Sequence, residues 1–172
     1  NLGVYNEPYF IQRIEDFKGN TLYENFYHGI QRYAPKSIYP LLNMMQGVVD
    51  RGTGRIVRRM GFKHPAGGKT GTTNNFKDAW FNGFTKTFST SVWVGYDKNE
   101  SMIDRSMHGL TGASAAAPIW TFYMEKVLQG KNQIKFPIPE GIKFEKVDVH
   151  SGTHVDDQSV ESMNVALKEE TT

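Results

Sequence analysis

The richest run of reactive side chains is Pro65-Ala66-Gly67-Gly68-Lys69-Thr70-Gly71-Thr72-Thr73, where one ammonium and three hydroxyls stand among glycines. Two chemistries compete for it. The first is phosphate binding by a glycine-rich loop of the form G-x-x-x-x-G-K-[ST], whose backbone amides cradle an anion. That pattern needs a glycine five positions before Gly68, and Lys63 stands there. The run also leads into strand-prone sequence, whereas a phosphate loop opens a helix. The second chemistry needs a strand. Alternation would put Lys69 and Gly71 on one face and Thr70 on the other. A cation, hydroxyls and a bare backbone at Gly71 would then meet a ligand that approaches the strand closely.

Other chemistry is thinly represented. There are no cysteines, which excludes disulfide scaffolds, thiolate zinc sites and thiol nucleophiles. None of Ser37, Ser89, Ser91, Ser101, Ser106, Ser114, Ser151, Ser159 and Ser162 has a lysine three positions on. The five histidines are scattered, and the His150/His154 pair lacks carboxylate support for a metal. No cofactor or metal site is read. Arg51, Arg55, Arg58 and Arg59 cluster after an expected helix, where basic groups favour the C-terminus. Twenty Lys and Arg against 18 Asp and Glu leave a net charge of +2, too little for a dedicated nucleic-acid binder.

These residues need a scaffold. The chain's 172 residues, 38% hydrophobic and 13% aromatic, suffice for one domain with a real core. The spacing predicts a hairpin within Pro8–Phe26, turning at Asp16–Asn20, and a second over Asp78–Tyr96 with Thr85–Phe88 as its connection. It predicts a helix over Ser37–Asp50, capped by Ser37 with Pro40 in its first turn. A second helix is expected over Ala113–Leu128, with Pro118 near its start and Gly130 past its end. Its leading run of small residues suits close packing on a sheet. The order is β-β-α-β-β-β-α, an α+β arrangement of an antiparallel sheet flanked by helices. Residues 150–172 read as a polar, mobile tail. No apolar run approaches the roughly 20 residues of a membrane helix. Asn1 follows no initiating Met or basic leader, so the chain is expected to be part of a longer protein.

Lys69-Thr70-Gly71 is the triplet of penicillin-recognising serine enzymes. Its context is more specific than the triplet. The stretches Pro8–Asp16, Met45–Gly54, Gly68–Asn74, Asp78–Thr85, Val92–Asp97 and Thr111–Trp120 resemble, in order, the C-terminal part of the transpeptidase domain of class A penicillin-binding proteins. The resemblance implies the β-lactamase/D,D-transpeptidase fold, with residues 1–149 supplying the C-terminal part of that domain. It implies acylation of a serine by the D-Ala-D-Ala end of a peptidoglycan stem peptide, transfer to an amine of a neighbouring strand, and acylation by β-lactams. It implies catalytic roles for Lys69 and Thr72, with the Thr72 amide as an oxyanion-hole donor. Thr70, Gly71, Thr72 and Thr73 become the expected substrate contacts. Trp80 and Phe81 are candidates for either a cleft wall or the core.

Two family motifs are missing from this chain. It has no Ser-x-x-Lys, and its one Ser-x-Asn, Ser162-Met163-Asn164, follows Lys69 and falls in the expected tail. The helical lobe with the nucleophile would be supplied by an upstream remainder of the domain, the expected partner. That parent would lie at the extracytoplasmic, periplasmic face of the cytoplasmic membrane, held by an upstream anchor. The alternatives are a non-catalytic binding or sensor module on the same fold, or a β-lactamase or D,D-carboxypeptidase relative.

Overall fold

A computed structural model describes residues 1–26, 28–156 and 161–169. The elements in chain order are β1 (Val4–Tyr5), β2 (Arg13–Glu15), β3 (Thr21–Glu24), β4 (Ile30–Gln31), α1 (Pro35–Asp50), α2 (Ile56–Arg59) and β5 (Gly67–Thr72). They continue with β6 (Asp78–Phe84), β7 (Ser89–Gly95), α3 (Ala117–Leu128), β8 (Ile142–Asp148) and β9 (Ser162–Lys168). The expected α+β class is what the chain adopts.

The central sheet is antiparallel with order β5-β6-β7, Lys69 facing Asn82 and Trp80 facing Trp93 across the strands. Along β6 burial alternates with period two: Ala79, Phe81 and Gly83 point to the helices, Trp80 and Asn82 away. Trp120 of α3 is the keystone of that buried side. Its ring meets those of Phe81 and Phe62 edge-on, each at 5.3 Å between centroids. Gly83 makes this possible, since a Cβ there would stand 2.5 Å from the Trp120 indole. Val49, Val57, Ala116, Ala117 and Met124 complete the core. Phe81 is therefore a core residue, while Trp80 lies half-exposed on the opposite face.

The second helix begins differently from expectation. Gly112–Ala116 form a widened, π-type turn before the regular helix starts at Ala117. Thr111 caps that turn, accepting from the Ser114 amide while the Ser114 hydroxyl accepts from the Thr111 amide. The small residues of 112–117 let this turn settle directly on the sheet.

α1 also starts earlier than its cap signal predicts. Pro35, with its fixed φ, opens the helix after Ala34, so Ser37 lies in the first turn and caps nothing. Pro40 consequently falls inside the helix rather than in its first turn.

The expected tail needs a larger correction. Residues 162–168 form β9, paired along its whole length with β8, and the Ala166 amide donates to Asn43 Oδ1 of α1 at 3.2 Å. Ala166 packs with Tyr39 and Leu42 in a second small core. Asp157, Ser159 and Glu170 of that expected tail lie outside the described residues.

The first expected hairpin forms as β2 and β3, shorter than predicted, around a turn in which the Asp16 carboxylate accepts from the Lys18 and Asn20 amides. A hydrogen bond from the Asn20 side chain, together with those from the two amides, lowers the Asp16 pKa.

Arg58 is the exception in the arginine cluster. Its Nε donates to Asp50 Oδ1 at the end of α1, and its Nη1 donates to the carbonyls of Phe62 and His64, each at 2.8 Å. One guanidinium thus ties the end of α1 to the chain that enters β5. Arg58→Ala is expected to cost about 2 kcal/mol, because two partly buried carbonyls lose a charged donor. Arg58→Lys should recover little, since a point ammonium cannot reproduce the fork. A denaturant midpoint equal to wild type for Arg58→Ala would show that the tie is dispensable.

Candidate active site

β5 is an edge strand of the central sheet, with β6 on one side. The Thr73 amide donates to the Asp78 carbonyl at 3.1 Å. Antiparallel alternation then turns the backbone groups of Gly71 and Lys69 toward β6 and those of Thr72 and Thr70 outward, to the free edge. The Lys69 ammonium agrees with this count: it folds onto the Thr70 carbonyl, Nζ to O, at 2.7 Å. The edge therefore presents the Thr70 and Thr72 amides and a cation in one place.

The side chains divide as alternation requires. Thr70 faces Phe81 and Thr72 faces Ala79, so both hydroxyls lie on the helix side of the sheet. Lys69 and Gly71 lie on the other side, opposite Asn82 and Trp80. A Cβ at Gly71 would stand 3.3 Å from the Trp80 Cβ, so the bare backbone there is flanked by the Trp80 side chain.

Each hydroxyl has a fixed partner. Thr72 Oγ1 accepts from the Gly112 amide at 3.0 Å, which leaves its own proton free to donate. Gly112 has to be glycine for this contact: a Cβ would lie 2.2 Å from the Trp80 carbonyl oxygen and 2.7 Å from that of Gly71. Thr70 Oγ1 lies 2.9 Å from Thr53 Oγ1. Thr73 is different. Its hydroxyl donates to Asp78 Oδ2 at 3.1 Å and accepts from the Asp78 amide at 2.8 Å. The other carboxylate oxygen of Asp78 accepts from Trp93 Nε1 at 2.9 Å. Thr73 is thus tied into the turn that joins β5 to β6.

That turn is strained. Asn75 and Phe76 both hold left-handed backbone angles, φ 60° and 55°, and the Phe76 carbonyl accepts from the Met102 amide at 2.9 Å. It closes the end of β5 just past the hydroxyls.

An apolar cavity lies elsewhere. About 440 Å³ between α1, the turn at 85–88 and Phe136 is walled by Ile38, Leu41, Met45 and Phe84, and none of the β5 residues reaches it. The β5 strand outweighs it as a site because it carries a cation, hydroxyls that can donate and edge amides without a strand partner among the described residues. Such a set recognises an anion beside a polarised carbonyl. Sequence reasoning missed Thr53 and Gly112. Each stands far along the chain from its partner on β5, and no local pattern announces the pairing.

The comparisons with known proteins converge on one family. The family model described as the penicillin binding protein transpeptidase domain matches residues 1–121. Penicillin-binding protein 1A of Aquifex aeolicus (strain VF5) is 37% identical over 139 residues, 81% of this chain and 18% of the relative. The crystal structure of Penicillin-Binding Protein 1A from Haemophilus influenzae superposes with a TM-score of 0.78 at 23% identity, over 100% of this chain and 31% of that chain, a likeness of fold. PonA1 from Mycobacterium tuberculosis, solved in complex with penicillin V, superposes with a TM-score of 0.62 at 28% identity, over 80% of this chain and 37% of that one. The chain spans less than a fifth of the length of the first curated relatives it matches, 18% and 14%. With the matched residues running from Asn1 through the Lys69–Thr73 strand into α3, the chain belongs to the penicillin-binding protein transpeptidase domain family.

Proposed function

We propose that this chain supplies the β5 wall of a peptidoglycan D,D-transpeptidase site, in a serine-type acyltransferase that also reacts with β-lactams. The observation that carries the reading is the edge of β5, which turns the Thr70 and Thr72 amides outward, with the Lys69 ammonium on the Thr70 carbonyl and the Thr70 and Thr72 hydroxyls on the helix side. The solved penicillin V complex of a 28% identical relative supports it.

In this reading a serine attacks the carbonyl between two D-alanines of a stem peptide. An acyl-enzyme forms, and the terminal D-alanine leaves with the proton. An amine of a neighbouring strand then attacks the ester, the cross-link forms and the serine is restored. The Thr72 amide donates to the oxygen that becomes negative in each tetrahedral intermediate. The Thr70 and Thr72 hydroxyls hold the terminal carboxylate. The Lys69 ammonium biases the local potential toward the charged species.

The nucleophile and its lysine come from the remainder of the domain, since no Ser-x-x-Lys occurs in this sequence. The full-length protein works at the extracytoplasmic face of the membrane, where its substrate lies. No helix of the described residues is long and apolar enough to cross a membrane, so the anchor is assigned to that remainder.

Intact-mass spectrometry after incubation with benzylpenicillin tests the reading. The full-length protein is expected to gain one penicillin mass, and the 172-residue chain alone none. A penicillin ester on this chain would refute the division of labour, and an unlabelled full-length protein would refute the activity.

A further inference from the structure

Thr53 lies outside the Lys-Thr-Gly triplet, in the turn between α1 and α2. That turn is wound tightly onto the end of α1: the Gly52 amide donates to the Gly47 carbonyl and the Gly54 amide to the Val48 carbonyl, both at 2.9 Å. The winding holds the Thr53 hydroxyl 2.9 Å from that of Thr70. Two hydroxyls at that distance share one hydrogen bond, and the second proton of the pair remains free.

The surroundings select the ligand. Thr53 opens onto a groove of about 410 Å³ whose walls include Arg55, Arg59, Thr111 and Ser114. The hydroxyls of Thr111 and Ser114 are engaged with each other in the cap. Arg55 and Arg59 stand one helical turn apart and have no carboxylate within ion-pair distance among the described residues. Arg58, beside them, is tied to Asp50. The groove thus carries two uncompensated positive charges, and its one hydroxyl outside the cap is bonded to the Thr70 hydroxyl.

We propose that Thr53 is a positioning residue for a substrate carboxylate. With an anion on the β5 edge, one proton order is cooperative: Thr53 donates to Thr70 Oγ1, and Thr70 donates to the carboxylate. Thr72, its oxygen fixed by the Gly112 amide, donates the second hydrogen bond. Arg55 and Arg59 supply a longer-range attraction that salt screens. The inference deepens the transpeptidase reading and rests on it for the identity of the ligand, a peptide C-terminal carboxylate or the equivalent group of a β-lactam.

The test compares benzylpenicillin with its methyl ester, which has the same ring and no carboxylate charge. Acylation rates are measured on the full-length protein as wild type, Thr53→Val, Thr53→Ser and Arg55→Ala/Arg59→Ala. Thr53→Val is expected to slow the acid about fivefold, the usual size of one neutral hydrogen bond, and to leave the ester unchanged. Thr53→Ser should restore the acid rate. The double arginine variant should slow the acid at low salt and flatten its salt dependence. An equal loss for acid and ester, or a wild-type acid rate in Thr53→Val, would overturn the proposal.

If neither compound acylates the wild type, the transpeptidase reading fails on its own. The carboxylate site is then read by titration calorimetry with N-acetyl-D-Ala-D-Ala and its C-terminal amide. A preference for the acid that disappears in Thr53→Val sustains the inference, and no preference in the wild type sinks it.

Discussion

In the full-length protein, Lys69→Met is expected to slow acylation by benzylpenicillin by about a hundredfold or more, the usual consequence of removing one preorganised electrostatic partner from such a site. Methionine keeps most of the length and apolar stem of lysine, so the change isolates the ammonium. In the resting chain that ammonium sits on the Thr70 carbonyl at 2.7 Å, at an exposed edge. Its contribution to folding is correspondingly small, since an exposed hydrogen bond exchanges readily with water. Rate and stability should therefore separate: a large fall in acylation with a denaturation midpoint near wild type. Lys69→Arg should recover only part of the rate, because a planar fork does not occupy the position of a compact ammonium. A near-wild-type acylation rate for the methionine variant would remove Lys69 from the site.

Trp120→Ala is expected to be the most damaging single change to stability, at about 3–5 kcal/mol. The residue is fully buried and holds Phe62 on one side and Phe81 of β6 on the other. Its cavity has little means of collapse, since Gly83 offers no side chain that can move into it. Against a typical total of about 5–15 kcal/mol, such a loss threatens cooperative unfolding itself. Trp120→Phe should cost much less. The indole N–H finds no acceptor among the described residues, so phenylalanine gives up area and no hydrogen bond. Urea midpoints for the two variants check this, and equal losses would mean that the ring contacts are not what holds α3 to the sheet.

Sequence made the β5 wall legible because its signal is local. Lys69, Thr70 and Thr72 lie within four residues, and the aromatic β6 and β7 follow with turn residues between them. What alternation places correctly, it does not bond. The partner of Thr72 is an amide 40 positions away, and the partner of Thr70 is 17 positions before it. Both depend on how α1 and the widened turn at 112–116 close on the sheet, which no short pattern encodes. Thr73 shows the same limit. It belongs to the motif by sequence, yet Asp78 engages its hydroxyl because the chain reverses there. The missed β9 has a plainer cause. Met163, Val165 and Leu167 carry a period-two signal, but averaging over the polar residues around them hides it. The start of α1 was misjudged because a serine cap is a conspicuous signal and a leading proline a quieter one.

The anchoring of β9 on α1 bears on the order of events during synthesis. Asn43 and Ala166 are 123 residues apart. At roughly 5–20 residues per second, on the order of ten seconds pass between their additions to the nascent chain. Through that interval the Tyr39 and Leu42 side of α1 packs with Leu2, Phe84 and Phe136 but lacks Ala166. The helix that leads into the Thr53 turn is thus formed early and fully covered only late, and a ribosome that stalls before Ala166 leaves its Tyr39 and Leu42 side incompletely packed.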